Sequence, residues 1–280
     1  MDSTQVLILA AVQGLAELLP VSSSAHVILA EKLMGLDPTT PAMTLLLVML
    51  HTGTMFAVIV YFWRAWRETY FSSAQAFRFQ ALQIVLATVV TGAIGAVAVK
   101  LIPWLVAGDS SAFEIEHLFG NSGLIAAALA AAGLVIIVAS RFDAGTREVS
   151  PLSAVWIGAA QGLCLPFRGF SRSGVTISTG LVLGIRRRRA EEFSFALAVV
   201  LTPAVIAREG YRLYKAEAAA AQMDAGGFLH LLAPSLLGMV FSFAAGLLAL
   251  RWLSRWLENG RWHFFGIYCL FASVVVLWIG

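Results

Sequence analysis

Two short stretches of this 280-residue sequence gather the side chains that could do chemistry. The first runs Gln13-x-x-x-Glu17, then Pro20-Val21-Ser22-Ser23-Ser24-Ala25-His26. Four-residue spacing puts Gln13 and Glu17 on one helix face. An ionisable residue at membrane depth is expensive, which makes Glu17 a functional candidate. Three consecutive serines offer hydroxyls and, at the start of a helix, free backbone N–H groups, a combination that suits an anion. A serine beside a base is the layout of an activated nucleophile, with His26 as the base. The bland alternative makes Ser24 a helix cap, Glu17 a paired core carboxylate and His26 an interior histidine. Their coincidence in one broken helix favours function.

The second stretch runs Pro166-Phe167-Arg168-Gly169-Phe170-Ser171-Arg172-Ser173-Gly174-Val175-Thr176. Glycines permit close backbone approach, and a guanidinium flanked by two hydroxyls can grip phosphate oxygens. An arginine deep in a membrane fold needs an anionic partner, either Glu17 or a ligand. A purely structural Glu17–Arg172 ion pair would leave the surrounding serines unexplained. The two stretches together point to chemistry on a phosphate-bearing substrate.

The elements that position them are membrane helices. Hydrophobic residues make up 59% of the chain and charged residues only 12%, against about 25% charged in soluble domains. Six runs are long enough to cross a hydrocarbon core, about 41–62, 80–105, 121–140, 191–208, 228–250 and 263–280. Residues 5–35 instead read as an apolar half-helix, the Pro20–Ser24 break and a second half starting near His26. Residues 151–185 repeat the plan, with a first half ending at Pro166, a loop from Phe167 to Gly174 and a second half from Val175 to Ile185. Proline removes a donor and clashes with the preceding turn, and irregular backbone survives at membrane depth only inside protein or along a wet cavity. Both segments are predicted to be re-entrant hairpins.

Ala11-Val12-Gln13-Gly14-Leu15 is echoed by Ala159-Ala160-Gln161-Gly162-Leu163, an internal repeat. The predicted fold is an all-α polytopic membrane protein, with six transmembrane helices and two re-entrant hairpins built as an inverted repeat. It forms one membrane domain over 1–280, with 1–140 as the first repeat and 150–280 as the second. With 63–78, 141–150, 186–190 and 251–262 inside, the inside segments hold 12 Lys/Arg. The outside segments 31–40, 100–120 and 208–227 hold 5. The positive-inside rule then turns both termini outward and lets the hairpin tips meet near the midplane.

The net charge of +3 does not indicate nucleic acid, because the basic residues fall in short breaks between apolar runs. Arg186 to Arg189 read as a cytoplasmic anchor, Glu191 and Glu192 as surface charges balancing it, and Trp63, Trp66, Trp252 and Trp256 as an interfacial belt. His51-Thr52-Gly53-Thr54, inside the first span, reads as helix packing. Cys164 and Cys269 read as reduced packing residues.

At the two loops the sequence resembles the undecaprenyl-diphosphatase, or bacitracin-resistance protein, family. That family's first motif, Glu/Gln-x-x-x-Glu followed by Pro-x-Ser-Ser-x-x-His, matches at Gln13, Glu17, Pro20, Ser22, Ser23 and His26. Its second, Pro-Gly-x-Ser-Arg-Ser-Gly with a following Thr, matches Gly169, Ser171, Arg172, Ser173, Gly174 and Thr176. Glu192-Phe193-Ser194-Phe195 also looks like the family. Two departures stand out: Gln13 leaves Glu17 as the one carboxylate of the first motif, and Phe167-Arg168 is inserted after the proline.

The resemblance implies hydrolysis of undecaprenyl diphosphate to the monophosphate and inorganic phosphate, which recycles the lipid carrier for cell-wall synthesis. It implies a divalent cation, Mg²⁺ or Ca²⁺, held by Glu17 with Gln13. Ser23 would be the nucleophile or a key phosphate-contacting hydroxyl, with His26 and Glu17 handling protons. Arg172 would clamp the diphosphate with Ser171, Ser173 and Thr176, and Ser22, Ser24, Gly169 and Gly174 would complete the substrate site. The expected partners are the polyprenyl substrate and membrane lipids, with a homodimer left open. The expected location is the bacterial inner membrane, with the site opening to the periplasmic side. A lipid-phosphate flippase or anion transporter on the same scaffold is the alternative.

Overall fold

The computed structural model describes residues 2–38, 40–107, 121–142, 145–220 and 225–279. Parts of 100–120 and 208–227, counted above as outside segments, lie outside the described residues. The chain runs α1 (Ser3–Leu18), α2 (Ser23–Leu33), α3 (Pro41–Tyr70), α4 (Ala74–Ala107) and α5 (Ser122–Ala139). It continues through α6 (Pro151–Cys164), α7 (Arg172–Val182), α8 (Arg187–Ala220), α9 (Ala225–Glu258) and α10 (His263–Ile279). No strand occurs among the described residues, only a single bridge between Arg147 and Ile185.

Five helices are long and apolar enough to cross a membrane: α3, α5, and the segments Ala74–Ile102, Arg187–Tyr211 and Leu232–Glu258 of α4, α8 and α9. Helix α10, expected as a sixth span, is apolar but has 17 residues. The protein is a multi-pass membrane protein.

Both predicted breaks exist, and both second helices start earlier than expected. Helix α1 ends at Leu18 and α2 begins at Ser23; α6 ends at Cys164 and α7 begins at Arg172. The first N–H groups of any helix lack intrahelical partners, so a run of small polar residues forms a first turn as readily as a loop. Ser171 caps α7, its Oγ accepting from the Gly174 N–H at 3.2 Å. Ser22, just before α2, has a φ of 67°, a left-handed conformation that costs a non-glycine residue about 1–2 kcal/mol.

Small residues let the helices around these breaks approach closely. Gly14 of α1 is packed against α9, where an added Cβ would lie 2.6 Å from Ala245 Cβ. Gly162, its counterpart in the repeated sequence, is packed against α4, where a Cβ would lie 2.8 Å from Ile94 Cβ. Gly158 is tighter still, with the Ala87 carbonyl oxygen 2.4 Å from a Cβ position. Gly158→Ala is therefore expected to destabilise by about 1–3 kcal/mol and lower the thermal unfolding midpoint in detergent. Gly92→Ala, on the same α4 but with no atom within 4 Å of its Cβ position, should leave that midpoint unchanged or raise it. Equal effects of the two would refute the packing account.

A second polar cluster corrects part of the sequence reading. Glu191 and Glu192, expected at the surface, are buried. Glu192 is paired with Arg188 and Arg189, four and three residues before it, and its carbonyl accepts from Trp66 Nε1. Glu191 accepts from Ser254 Oγ of α9, whose hydroxyl in turn accepts from Tyr61 of α3. Helical spacing folds Arg188 and Arg189 over the buried Glu192 carboxylate, Arg189 itself largely covered and Arg188 still open to its surroundings. Trp66, expected in an interfacial belt, is buried here, whereas Trp63 and Trp252 are exposed. Cys164 and Cys269 are free and buried.

Candidate active site

The two helix breaks meet, and Glu17 lies at their junction. Arg172 Nη2, in the first turn of α7, donates to Glu17 Oε1 at 3.0 Å. Ser23 Oγ, in the first turn of α2, donates to Glu17 Oε2 at 2.6 Å. Gln13 Nε2, one turn earlier on α1, donates to the same oxygen at 3.3 Å. Backbone contacts hold the breaks together: Ser173 Oγ donates to the Leu19 carbonyl at 3.4 Å, and Cys269 Sγ to the Pro20 carbonyl at 3.2 Å. The Glu17–Arg172 pair is thus real, yet it does not exhaust the guanidinium. Arg172 Nη1 is buried and makes no hydrogen bond to any described residue. A buried unpaired donor is costly, and a guanidinium with one edge on a carboxylate can present the other to a phosphate.

The rest of the second loop supports Arg172 from below. Thr176 is fully buried, its Oγ1 bonded to the Arg172 carbonyl at 2.8 Å and to Ser194 Oγ at 2.6 Å. Ser171 is the cap of α7, and Gly174 is wedged beside Pro20 and Ile136. Gly169, at φ 103°, passes so close to α5 that a Cβ would lie 2.4 Å from the Ile125 carbonyl oxygen. These residues set the shape of the loop, and of the expected clamp it is Arg172 that reaches Glu17. Ser24 is exposed in the first turn of α2.

His26 is placed differently from expectation. Its Nδ1 lies 2.8 Å from the Ser22 carbonyl and its Nε2 lies 2.7 Å from the Tyr268 hydroxyl. A carbonyl can only accept, so Nδ1 carries the proton and Nε2 accepts from Tyr268. Both ring nitrogens are engaged, neither with Ser23 or Glu17. His26 instead clasps the left-handed Ser22 turn and forms one end of an apolar groove of about 90 Å³ between α2 and α10.

The residue sequence reasoning missed is His51. Its Nδ1 is 2.9 Å from Gln13 Nε2 and 3.8 Å from Glu17 Oε2. Packing does describe Gly53, where a Cβ would lie 2.2 Å from Ser242 Oγ of α9. That contact fixes the rotation of α3 and leaves His51 facing α1. A histidine inside an apolar span was the available signal.

The chemistry at this junction is a hydroxyl held on a carboxylate, with a partly paired guanidinium beside them. Known proteins share the whole chain. The sequence model for "Bacitracin resistance protein BacA" matches residues 6–275. The protein named undecaprenyl-diphosphatase 2 of Acinetobacter baylyi is 64% identical over 278 residues, covering 99% of this chain and 98% of its own. Proteins named undecaprenyl-diphosphatase from Desulfosudis oleivorans and Thermus thermophilus are each 33% identical. The first covers 100% of this chain and 99% of its own, the second 97% and 95%. With matches that run end to end through both loops, the chain belongs to the bacitracin resistance protein BacA family.

Proposed function

We propose that this protein is an undecaprenyl-diphosphate phosphatase, which releases inorganic phosphate and returns undecaprenyl phosphate to cell-wall synthesis. The observation that carries the reading is the Ser23–Glu17–Arg172 junction. The terminal phosphate lies against Arg172 Nη1 and Ser23 Oγ. Ser23 oxygen attacks the terminal phosphorus while its proton passes to Glu17 Oε2, and the bond to the bridging oxygen breaks to release undecaprenyl phosphate. Glu17 passes that proton to the departing undecaprenyl phosphate; water then attacks the phosphoserine, giving one proton to Glu17, which returns it to the Ser23 oxygen as inorganic phosphate is freed. Arg172 stabilises the charge on the phosphoryl oxygens throughout. His26 holds the Ser22 turn, and the groove beginning at His26 offers the first isoprene units an apolar wall. Transport of a lipid phosphate would not require a hydroxyl hydrogen-bonded to a carboxylate.

A divalent cation, Mg²⁺ or Ca²⁺, belongs to this reading. Among the described residues no three His, Cys, Asp or Glu side chains gather as a metal cage, and Glu17 already accepts from Arg172 and Ser23. Mg²⁺ is commonly held by one or two carboxylates plus substrate phosphates and several waters. Glu17 with the Gln13 amide oxygen fits such a shared site. When bound, the cation would neutralise phosphate charge and polarise the phosphoryl oxygens. EDTA is therefore expected to abolish phosphate release, with full recovery in excess Mg²⁺, and protein dialysed without substrate should retain well under one metal per chain by elemental analysis. A stoichiometric ion surviving dialysis would contradict the shared site.

The inverted repeat, the sixth span at α10 and the two re-entrant hairpins complete the proposal. The reciprocal packing of α1 on α9 and of α6 on α4, through glycines of the same repeated sequence, supports them. The charge distribution supports a bacterial inner-membrane protein whose site opens to the periplasm. The direct test of function is phosphate release from undecaprenyl diphosphate by detergent-purified protein. No release under any metal or detergent condition, from folded protein, would overturn it.

A further inference from the structure

We propose that His51 is a substrate-contacting residue of this site, which donates Nε2–H to an oxygen of the diphosphate. The inference rests on the hydrolase reading above. It starts from what each atom around Glu17 can do. The Glu17 carboxylate is surrounded by the Arg172 guanidinium and the Ser23 hydroxyl, so it is ionised and accepts only. The Gln13 side-chain atom 3.3 Å from its Oε2 must then be the amide nitrogen. That nitrogen has two protons, and its second short contact is His51 Nδ1 at 2.9 Å. Two donors cannot face each other at that distance, so Nδ1 accepts and the ring proton sits on Nε2.

The tautomer is thereby set by the first motif itself. Gln13 acts as an adaptor between Glu17 and His51, and its amide N–H on Nδ1 leaves Nε2 as the ring nitrogen that carries a proton, directed away from α1. Nε2 makes no hydrogen bond to any described residue. The side chain is 37% exposed, more than Glu17 at 18% or Arg172 at 23%. The ring is therefore more open than either member of the Glu17–Arg172 pair beside it. A diphosphate bound between Arg172 Nη1 and Ser23 Oγ carries more oxygens than those two groups can satisfy, and the His51 ring, 3.8 Å from the same Glu17 carboxylate through Nδ1, adds a further donor at Nε2. Tyr268 occupies the corresponding nitrogen of His26, so that ring cannot fill the same role.

The experiment compares His51→Gln with His51→Asn in the full-length, detergent-purified protein, with undecaprenyl diphosphate as substrate. A glutamine amide reaches about as far as Nε2 and keeps a donor for the substrate. An asparagine amide reaches only as far as Nδ1, so it keeps a partner for Gln13 and loses the donor. The expected result is a loss of about 10–100-fold in kcat/KM for His51→Asn, with His51→Gln retaining most of the wild-type value. Inhibition by inorganic pyrophosphate should weaken in the same order. A residue that merely positions Gln13 would give the reverse order, and that result, or equal activity in both variants, overturns the proposal. Melting temperatures separate loss of contact from loss of fold, and pyrophosphate inhibition of whichever variant folds still decides the question. A wild-type protein that releases no phosphate removes the hydrolase reading and this inference with it. An active wild type with the reversed order removes only the role of His51.

Discussion

Replacing Arg172 by Ala is expected to lower kcat/KM for phosphate release by at least about 10²–10³-fold, the scale found when a preorganised charge-stabilising donor is removed. Among the described residues Arg172 is the one Lys or Arg paired with Glu17, and its buried Nη1 makes no hydrogen bond to any of them. The loop beneath it is held independently, by Ser171 capping α7 and by the Thr176–Ser194 hydrogen bond. The substitution should therefore leave the helices in place. Glu17 keeps its hydrogen bonds from Ser23 and Gln13, so the stability cost should stay near about 1–3 kcal/mol, visible as a modest fall in melting temperature. Arg172→Lys retains the charge without the two-edged geometry and should recover only part of the rate. Because Arg172 and Glu17 share one interaction, Glu17→Gln combined with Arg172→Ala should cost much less than the two separate losses would suggest. Wild-type turnover in Arg172→Ala would remove the guanidinium from the mechanism. An unfolded Arg172→Ala protein alongside a folded but inactive Arg172→Lys would still place it there.

The sequence made the breaks legible because their cause is local. Pro20 and Pro166 each remove a backbone donor beside a run of Ser and Gly, and both breaks lie there, whereas Pro203 and Pro234, without such runs, stay inside α8 and α9. The starts of α2 and α7 were harder, since Ser23 and Arg172 sit in first turns whose unpaired N–H groups tolerate residues that otherwise mark loops. Long-range partners were beyond reach. His26 looks like a base because it follows three serines, but its ring is decided by Tyr268, 242 residues away. His51 looks like packing because it precedes Gly53, and that glycine's contact with Ser242 is what turns the histidine toward Glu17. Glu191 and Glu192 look solvated beside four arginines, and their burial follows from Ser254 and Trp66 on other helices. In each case sequence neighbours suggested one role and spatial neighbours assigned another.

Ser23→Ala should have the largest effect of any single substitution, a loss on the order of 10⁴-fold or more in kcat if the hydroxyl is the attacking group. Three features support that role. The 2.6 Å hydrogen bond aims the hydroxyl proton at Glu17. The left-handed Ser22, clasped by His26, fixes where the first turn of α2 begins. The Arg172 guanidinium holds Glu17 ionised on its opposite oxygen, ready to accept the proton. The small volume change at a half-exposed position should leave stability nearly unaltered, so the activity loss reads as chemistry. Covalent attack also requires that wild-type protein, quenched in acid during turnover of substrate labelled in the terminal phosphate, carry label on Ser23, and that Ser23→Ala carry none. A loss of only about tenfold, without trapped label, would mean that water attacks and Ser23 only orients the phosphate. Glu17 would then have to take its proton from that water, and Glu17→Gln would become more damaging than Ser23→Ala. The rank order of these two variants therefore decides which oxygen makes the new bond to phosphorus.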